Sequence, residues 1–459
     1  MGSKWVHAKL GDYIHSNLGK MLDQNKNKGD FQPYLGNSNV RWGYFDLEDL
    51  SLMKFEEHES DRYGIRKGDL IICEGGEPGR CAIWEDDVPN MKIQKALHRV
   101  RPLPGLTSEY LYYWFLYFGR TGQLDAYFTG TTIKHLTGKA LSELPIKIPT
   151  VDEQKYISIV LGSLDAKIKA NRKINRTLEQ MSQTLFKSWF VDFDPVIDNA
   201  LDAGNPIPEA LQSRAELRQK VRNSADFKPL PADIRALFPA DLEETEMGWV
   251  PKGWKNGNLS DITKILSGFA FKSKDFGDDG KSVIKIKNIT IAKTIDIDDT
   301  QKISEIIAKD ANRFLLLDGD ILMAMTGATV GKFGVLATKN NEEYYLNQRV
   351  AKFETEKKAY LYCVLNQEST DRFITNAAQG SAQPNISAKD ILSTPLLIPS
   401  VELINTFNDF ISHLFYRMIA NTKANLTLTA LRDTLLPKLI SGELSLEDLP
   451  DLADQTEPA

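Results

Sequence analysis

Residues 144–154 read LPIKIPTVDEQ, and residues 394–404 read TPLLIPSVELI. Pro145, Ile148, Pro149 and Val151 recur as Pro395, Ile398, Pro399 and Val401, each 250 positions later. A repeat at a fixed period constrains architecture before any single element does. The phrase itself reads as a stop followed by a start. Proline and the residue before it resist continuing a strand or helix. In the first copy Thr150 and Glu153 have capping-box spacing, and in the second Ser400 is the cap with Glu402 favourable in the first turn.

Outward from the phrase the register holds near 250 with small insertions. Trp5, Leu10 and Asp12 match Trp254, Leu259 and Asp261. Gly68-Asp69-Leu70-Ile71 parallels Gly319-Asp320-Ile321-Leu322, and Tyr110-Leu111-Tyr112 matches Tyr360-Leu361-Tyr362. Before each phrase, strand-like runs such as DLIICEG and SVIKIKNITI alternate with helical stretches such as EYLYYWFLYF. That composition predicts mixed α/β globular regions at 1–150 and 251–399.

After each phrase comes a long helix, 151–190 and 400–442. Apolar residues fall at Ile157, Leu161, Leu164, Ile168, Ile174, Leu178, Met181 and Leu185 in the first. In the second they fall at Phe407, Ile411, Leu414, Met418, Ala424, Leu428, Leu431 and Leu435. Both series show 4-3-4 spacing, a six-residue step holding Asn171 or Asn421, then 4-3-4 again. The reading is a coiled-coil seam carried by Leu164, Ile168, Asn171, Ile174, Leu178, Leu414, Met418, Asn421, Leu428 and Leu431. Antiparallel pairing of the two helices would give a pseudo-two-fold molecule. A rod of roughly 55 Å would then separate the globular parts like a ruler.

The net charge of −6 argues against nucleic acid until its distribution is read. Residues 191–250 carry 12 acidic and 6 basic side chains, and 443–459 carry 6 acidic and no basic ones. Both repeated blocks are left mildly basic, each at +3, so a phosphate-binding surface is open to them. The acid sits in a connector (191–250) and a tail (443–459). Three cysteines without a CxxC and six scattered histidines predict neither a disulfide framework nor a metal site. The odd, unpaired cysteine count favours a reducing cytoplasm, and no apolar run reaches a membrane span.

Catalytic motifs fail on inspection. Gly327 to Phe333 approaches a phosphate-binding loop, but the spacing is one short and Phe333 replaces the hydroxyl that would hold magnesium. No dinucleotide fingerprint, nucleophile elbow or Cys/His pair occurs. What recurs instead are groups suited to reading bases and phosphates. Gln94-Lys95 and Asn347-Gln348-Arg349 follow Gly-rich turns that carry Arg80 and Lys332. Asn and Gln pair with adenine, Arg and Lys with guanine. Polar loops add Thr131, Thr132 and Lys134 in one copy and Ser381, Gln383 and Asn385 in the other.

Taken together, IPTVDEQ, IPSVELI, LFKSWFVDFDP, EMGWVPKGWK, GDILM with TGATVGKFG, AAQGSAQPNIS and LLPKLISGEL resemble the specificity subunit of type I restriction–modification systems. The resemblance implies two target-recognition domains, each reading one half of an asymmetric bipartite sequence in double-stranded DNA. It implies that the paired helices set the spacer and dock two methyltransferase subunits, with restriction subunits completing the enzyme. No cofactor is expected on this chain; S-adenosylmethionine, ATP and magnesium would belong to those partners. The second helix departs from the family, reading VELI where Glu153-Gln154 stands in the first. The competing reading is a two-domain protein-binding scaffold without sequence-specific DNA recognition.

Overall fold

A computed structural model describes residues 5–23, 27–48, 50–86, 88–130, 134–246, 248–340, 342–378 and 384–444. It divides into two compact units, Met1–Lys167 with Leu428–Ala459, and Ile168–Thr427. Each unit therefore takes one globular region together with segments of both long helices.

In the first unit four antiparallel strands form the central sheet: β1 (Ile14–Leu18), β2 (Leu70–Cys73), β3 (Cys81–Ile83) and β4 (Leu97–Pro102), in the order β1-β4-β2-β3. The whole of β2 is buried because both faces of the sheet are covered. Leu70 and Ile72 pack with Tyr110, Leu111, Trp114 and Phe115 of the helix Ser108–Arg120. Ile71 and Cys73 face the other way, against Leu35, Trp84 and Ile93. That alternation is the period of two that a strand imposes on its side chains.

The second unit repeats the plan with β5 (Lys264–Ser267), β6 (Ile321–Ala324), β7 (Phe333–Val335) and β8 (Val350–Glu354), in the order β5-β8-β6-β7. Ile321 and Met323 join one core with the helix Lys358–Leu365, and Leu322 and Ala324 join another. In both units the strand entering the fourth member of the sheet pairs in parallel with an earlier one. Lys92–Ile93 lies beside Asp30–Leu35, and Tyr344–Leu346 lies beside Lys281–Ile284.

The Gly-Asp phrase is a turn that fixes the start of the central strand. Gly68 and Gly319 take left-handed φ values of 87° and 79°, where a side chain would be strained. Asp69 and Asp320 are buried and accept from the backbone N–H of Arg66 and Leu317, at 2.9 Å in each case. Their charge is neutralised by Arg101 in the first unit and by Lys352 and Lys358 in the second. A buried carboxylate without such partners would be prohibitively costly.

The opening phrase is a short strand followed by a cap. Pro145–Ile148 pairs antiparallel with Val6–Lys9, and Pro395–Ile398 with Lys255–Asn258. The helices then run Val151–Phe190 and Val401–Ser441. Thr150 and Glu153 form the capping box, with Glu153 N–H donating to Thr150 Oγ1 at 3.3 Å and Thr150 N–H to the Glu153 carboxylate at 2.9 Å. Ser400 Oγ accepts from Leu403 N–H at 3.1 Å. Gln154, fully buried, fastens the first helix to its unit by bonding Thr107 N–H and the carbonyls of Gly105 and Pro149. In the second helix Ile404 is buried at that place, and Asn408 one turn on accepts from Tyr360 N–H.

The helices pair antiparallel within each unit. In the first, Asp165 meets Arg432 at 2.7 Å, and Ile157 and Leu161 share a core with Leu436, Leu439 and Ile440. In the second, Asn171 Nδ2 donates to Asn425 Oδ1 at 2.9 Å, and Asn421 Nδ2 to Asn175 Oδ1 at 2.8 Å. These four residues are related by the 250-residue repeat and form a local two-fold layer. The six-residue step expected from the apolar spacing is absent. Ile174 and Leu431 are 41% and 46% exposed, and Met181 and Ala424 are exposed as well. Asn175, Ser182, Asn425 and Arg432 take those seam places, so heptad spacing continues through both helices. The other residues expected in the seam, Leu164, Ile168, Asn171, Leu178, Leu414, Met418, Asn421 and Leu428, are buried or half-buried.

Residues 191–250 pack into the second unit. Phe193, Val196 and Phe238 are buried with Trp189, Trp254 and Phe407. The helices Asp194–Ala203 and Glu209–Arg222 are zipped by Arg214 on Asp194, Arg218 on Asp198 and Arg222 on Asp202. Three of the connector's twelve acidic side chains are thus answered by arginines four residues apart on one helix face.

Candidate nucleic-acid interface

Three loops meet at one end of each central sheet. In the first unit the Gly-rich turn after β2 is tied to the segment before β4, because Glu74 N–H donates to the Ala96 carbonyl at 2.8 Å. The polar loop joins them through Leu136 N–H, which donates to the Glu74 carbonyl at 2.7 Å. In the second unit Met325 N–H donates to the Arg349 carbonyl at 3.0 Å, and Ile386 N–H to the Met325 carbonyl at 2.9 Å. The two clusters share one hydrogen-bond pattern.

The register places the candidate residues in equivalent seats. Cys73 N–H donates to the Arg80 carbonyl and Ala324 N–H to the Lys332 carbonyl, at 2.8 and 2.9 Å. Leu97 N–H closes a turn on Gln94, as Val350 N–H does on Asn347. Each turn is held against a glycine. A Cβ on Gly19 would sit 2.3 Å from the Gln94 carbonyl oxygen, and one on Gly268 would sit 2.2 Å from that of Asn347. No side chain fits there. Sequence reasoning passed over this pair, although its 249-residue spacing was a usable signal.

The side chains differ between the copies. Arg80, expected to reach DNA, is turned inward: it is bonded to Glu77 at 2.9 Å and to the Asn37 carbonyl at 3.0 Å. Its job is to brace the Gly-rich turn. Lys134 pairs with Asp125 at 3.1 Å on the surface. Lys95 is exposed and Gln94 half-buried. In the second unit Lys332, Gln348 and Arg349 are all exposed, with side chains that meet no partner among the described residues. Asn347 is half-buried, and exposed Asn385 is bridged through its backbone to Thr326. Thr131, Thr132, Ser381 and Gln383 lie outside the described residues.

Two buried groups lie under the first cluster. His98 on β4 bonds the Leu136 carbonyl through Nε2 at 2.9 Å, and burial pulls its pKa below the ordinary value despite that bond and nearby Glu74. Burial pushes the Cys73 thiol up to about 11, against the pull of Arg80. It is therefore a poor nucleophile, since the thiolate is the reactive form. The arrangement offers exposed amide and cationic groups on rigid turns, which can bind bases and phosphates.

The family model described as "Type I restriction modification DNA specificity domain" matches residues 2–180 and 251–427. The chain is 26% identical to the type I restriction enzyme HindI specificity subunit of Haemophilus influenzae, over 96% of this chain and 100% of that protein. It is 25% identical to the MjaIX specificity subunit of Methanocaldococcus jannaschii, over 83% of this chain and 79% of that protein. In fold it resembles the crystal structure of a type I S subunit from M. genitalium, at 16% identity and a TM-score of 0.51, covering 95% of this chain and 96% of that one. With both copies of the domain matched over more than half of its length, the chain belongs to the type I restriction–modification DNA specificity family.

Proposed function

We propose that each loop cluster reads one half of an asymmetric, interrupted sequence in double-stranded DNA, and that this chain does so without catalysing a reaction itself. The carrying observation is the duplicated cluster: one backbone pattern with different side chains at matching seats. Matching scaffolds with Gln94-Lys95 on one and Asn347-Gln348 on the other, and with Ala96 where the second carries Arg349, suit two different half-sites. The paired helices would set the number of unread bases and dock two methyltransferase subunits, with restriction subunits completing a cytoplasmic enzyme. S-adenosylmethionine would then bind the methyltransferase subunits, and ATP and magnesium the restriction machinery. Adenine methylation needs a flipped base, which the partner's pocket would receive.

A map of modified bases in genomic DNA tests this, comparing cells with the intact system and cells lacking this gene. The expected result is an interrupted, asymmetric motif methylated on adenine that disappears on deletion. An unchanged map, with the partner subunits active, would overturn the reading. Inserting four residues into the first long helix, ~6 Å of rise, is expected to lengthen the spacer while sparing both half-sites. A constant spacer in an active complex would refute the measuring role of the helices.

A further inference from the structure

In the first unit a cavity of about 430 Å³ opens between the helical turn Ser60–Tyr63 and the segment ending at Lys92. Ser60, Asp61, Arg66, Asn90, Lys92 and Arg101 are among the residues lining it. Lys92 is the anomaly. Its residue is only 3% exposed, and its Nζ donates to the Asn90 carbonyl at 3.2 Å. No carboxylate among the described residues lies within 4 Å of it, whereas Lys20, also buried, holds Glu59. Lysines are almost never this buried without an anionic partner. Burial alone pulls its pKa below the usual lysine value.

The surroundings deepen the imbalance. Arg99 is buried beside the same turn and donates to the carbonyls of Asp61 and Gly64. Arg101 is already neutralised by Asp69. Arg66 is exposed at the cavity, and its guanidinium meets no partner among the described residues. The carboxylates at the rim belong to exposed residues, Asp61 and Asp86. In the second unit the seat equivalent to Lys92 is Tyr345, so this cavity is not part of the repeated plan.

We propose that the cavity binds a phosphate-type oxyanion, with Lys92 as its buried anchor and Arg66 as the cation at its mouth. The anion supplies a negative charge that no described residue places against Lys92. Two sources share this chemistry, free phosphate (or a phosphate monoester) and a phosphodiester of bound DNA. The first does not depend on the DNA-reading role of the loop clusters.

The test uses the full-length chain, its Lys92→Met variant and its Arg66→Ala variant. Inorganic phosphate is titrated against chloride at constant ionic strength while thermal unfolding is followed. A free-anion site is expected to raise Tm with the logarithm of phosphate concentration, by about 4 °C at tenfold excess over the dissociation constant where the first unit unfolds by itself. That rise is lost in Lys92→Met and weakened in Arg66→Ala. Because Arg66 is exposed, the second variant decides the matter if the first fails to fold. If the occupant is a DNA phosphate, phosphate leaves Tm unchanged, and each variant lowers the salt slope of duplex binding by about one. A Tm rise that survives both substitutions overturns the proposal. So do a flat phosphate titration and unaltered salt slopes together.

Discussion

The loop clusters of the two units share the backbone bonds that tie their three loops together, yet they spend their side chains differently. In the first, Arg80 and Lys134 are engaged by Glu77 and Asp125, and His98 props the polar loop from beneath. In the second, Lys332 stands exposed on the seat of Arg80, Gln348 and Arg349 stand exposed on those of Lys95 and Ala96, and Ala351 replaces His98 on the matching strand. A duplicated scaffold conserves what backbone geometry demands. Groups that point away from it are free to diverge, and recognition can differ between copies without changing the fold.

The harshest way to break the comparison is to attack the shared geometry. Gly268→Ala should cost about 3 kcal/mol, because its Cβ collides with backbone that cannot give way. Gly19→Ala should cost a similar amount in the first unit. Denaturant unfolding would measure both, and methylation of DNA libraries should show damage to opposite half-sites. A Gly268→Ala protein as stable as wild type would remove the close approach from the account.

Arg349→Ala should weaken binding by about 1–3 kcal/mol and relax one position of one half-site. Lys332→Ala should weaken binding evenly across sequences. Selection from randomised duplexes separates these outcomes. Equal relaxation of both half-sites would contradict the assignment of Arg349 to one cluster.

The layer joining the copies gives a third, smaller effect. Asn171→Leu leaves Asn425 without its partner and should cost about 1–2 kcal/mol. Replacing both by Leu should recover that stability and broaden the spacer lengths methylated, since buried polar pairs set register. A double variant with a single unaltered spacer would show that register is fixed elsewhere.

The mildest test is pH. His98 has a folded pKa below 6.5, so the unfolded chain binds the proton more readily. Its contribution to stability is complete above about pH 6.5 and is lost as pH falls from there toward the folded pKa. Amide protection around Leu136, corrected for the intrinsic exchange rate at each pH, should therefore fall between about pH 7 and 5.5, while that of the matching region near Ile386 should not respond through this route. An equal loss of protection in both units would exclude His98 as the cause.

Much of this molecule is legible in one dimension. The 250-residue period exposes the duplication, the IP phrase marks where each long helix starts, and the Gly-Asp turns announce the central strands. Each signal is local: a proline's missing N–H, a cap three residues from its partner, or a glycine at positive φ acts within one turn of chain. The seam was misread where polar residues serve in it. Spacing of apolar letters cannot reveal that Asn175 will meet Asn421 or Arg432 will meet Asp165. Composition and position pick out candidate readers, but composition could not show that Arg80 turns inward while Arg349 stays exposed. Those outcomes depend on which groups the fold brings within hydrogen-bond reach from distant parts of the sequence. Sequence alone therefore determined the repeat, the elements and their ends. The partners of each polar group, and so which charges are left for DNA, were decided only when the chain packed.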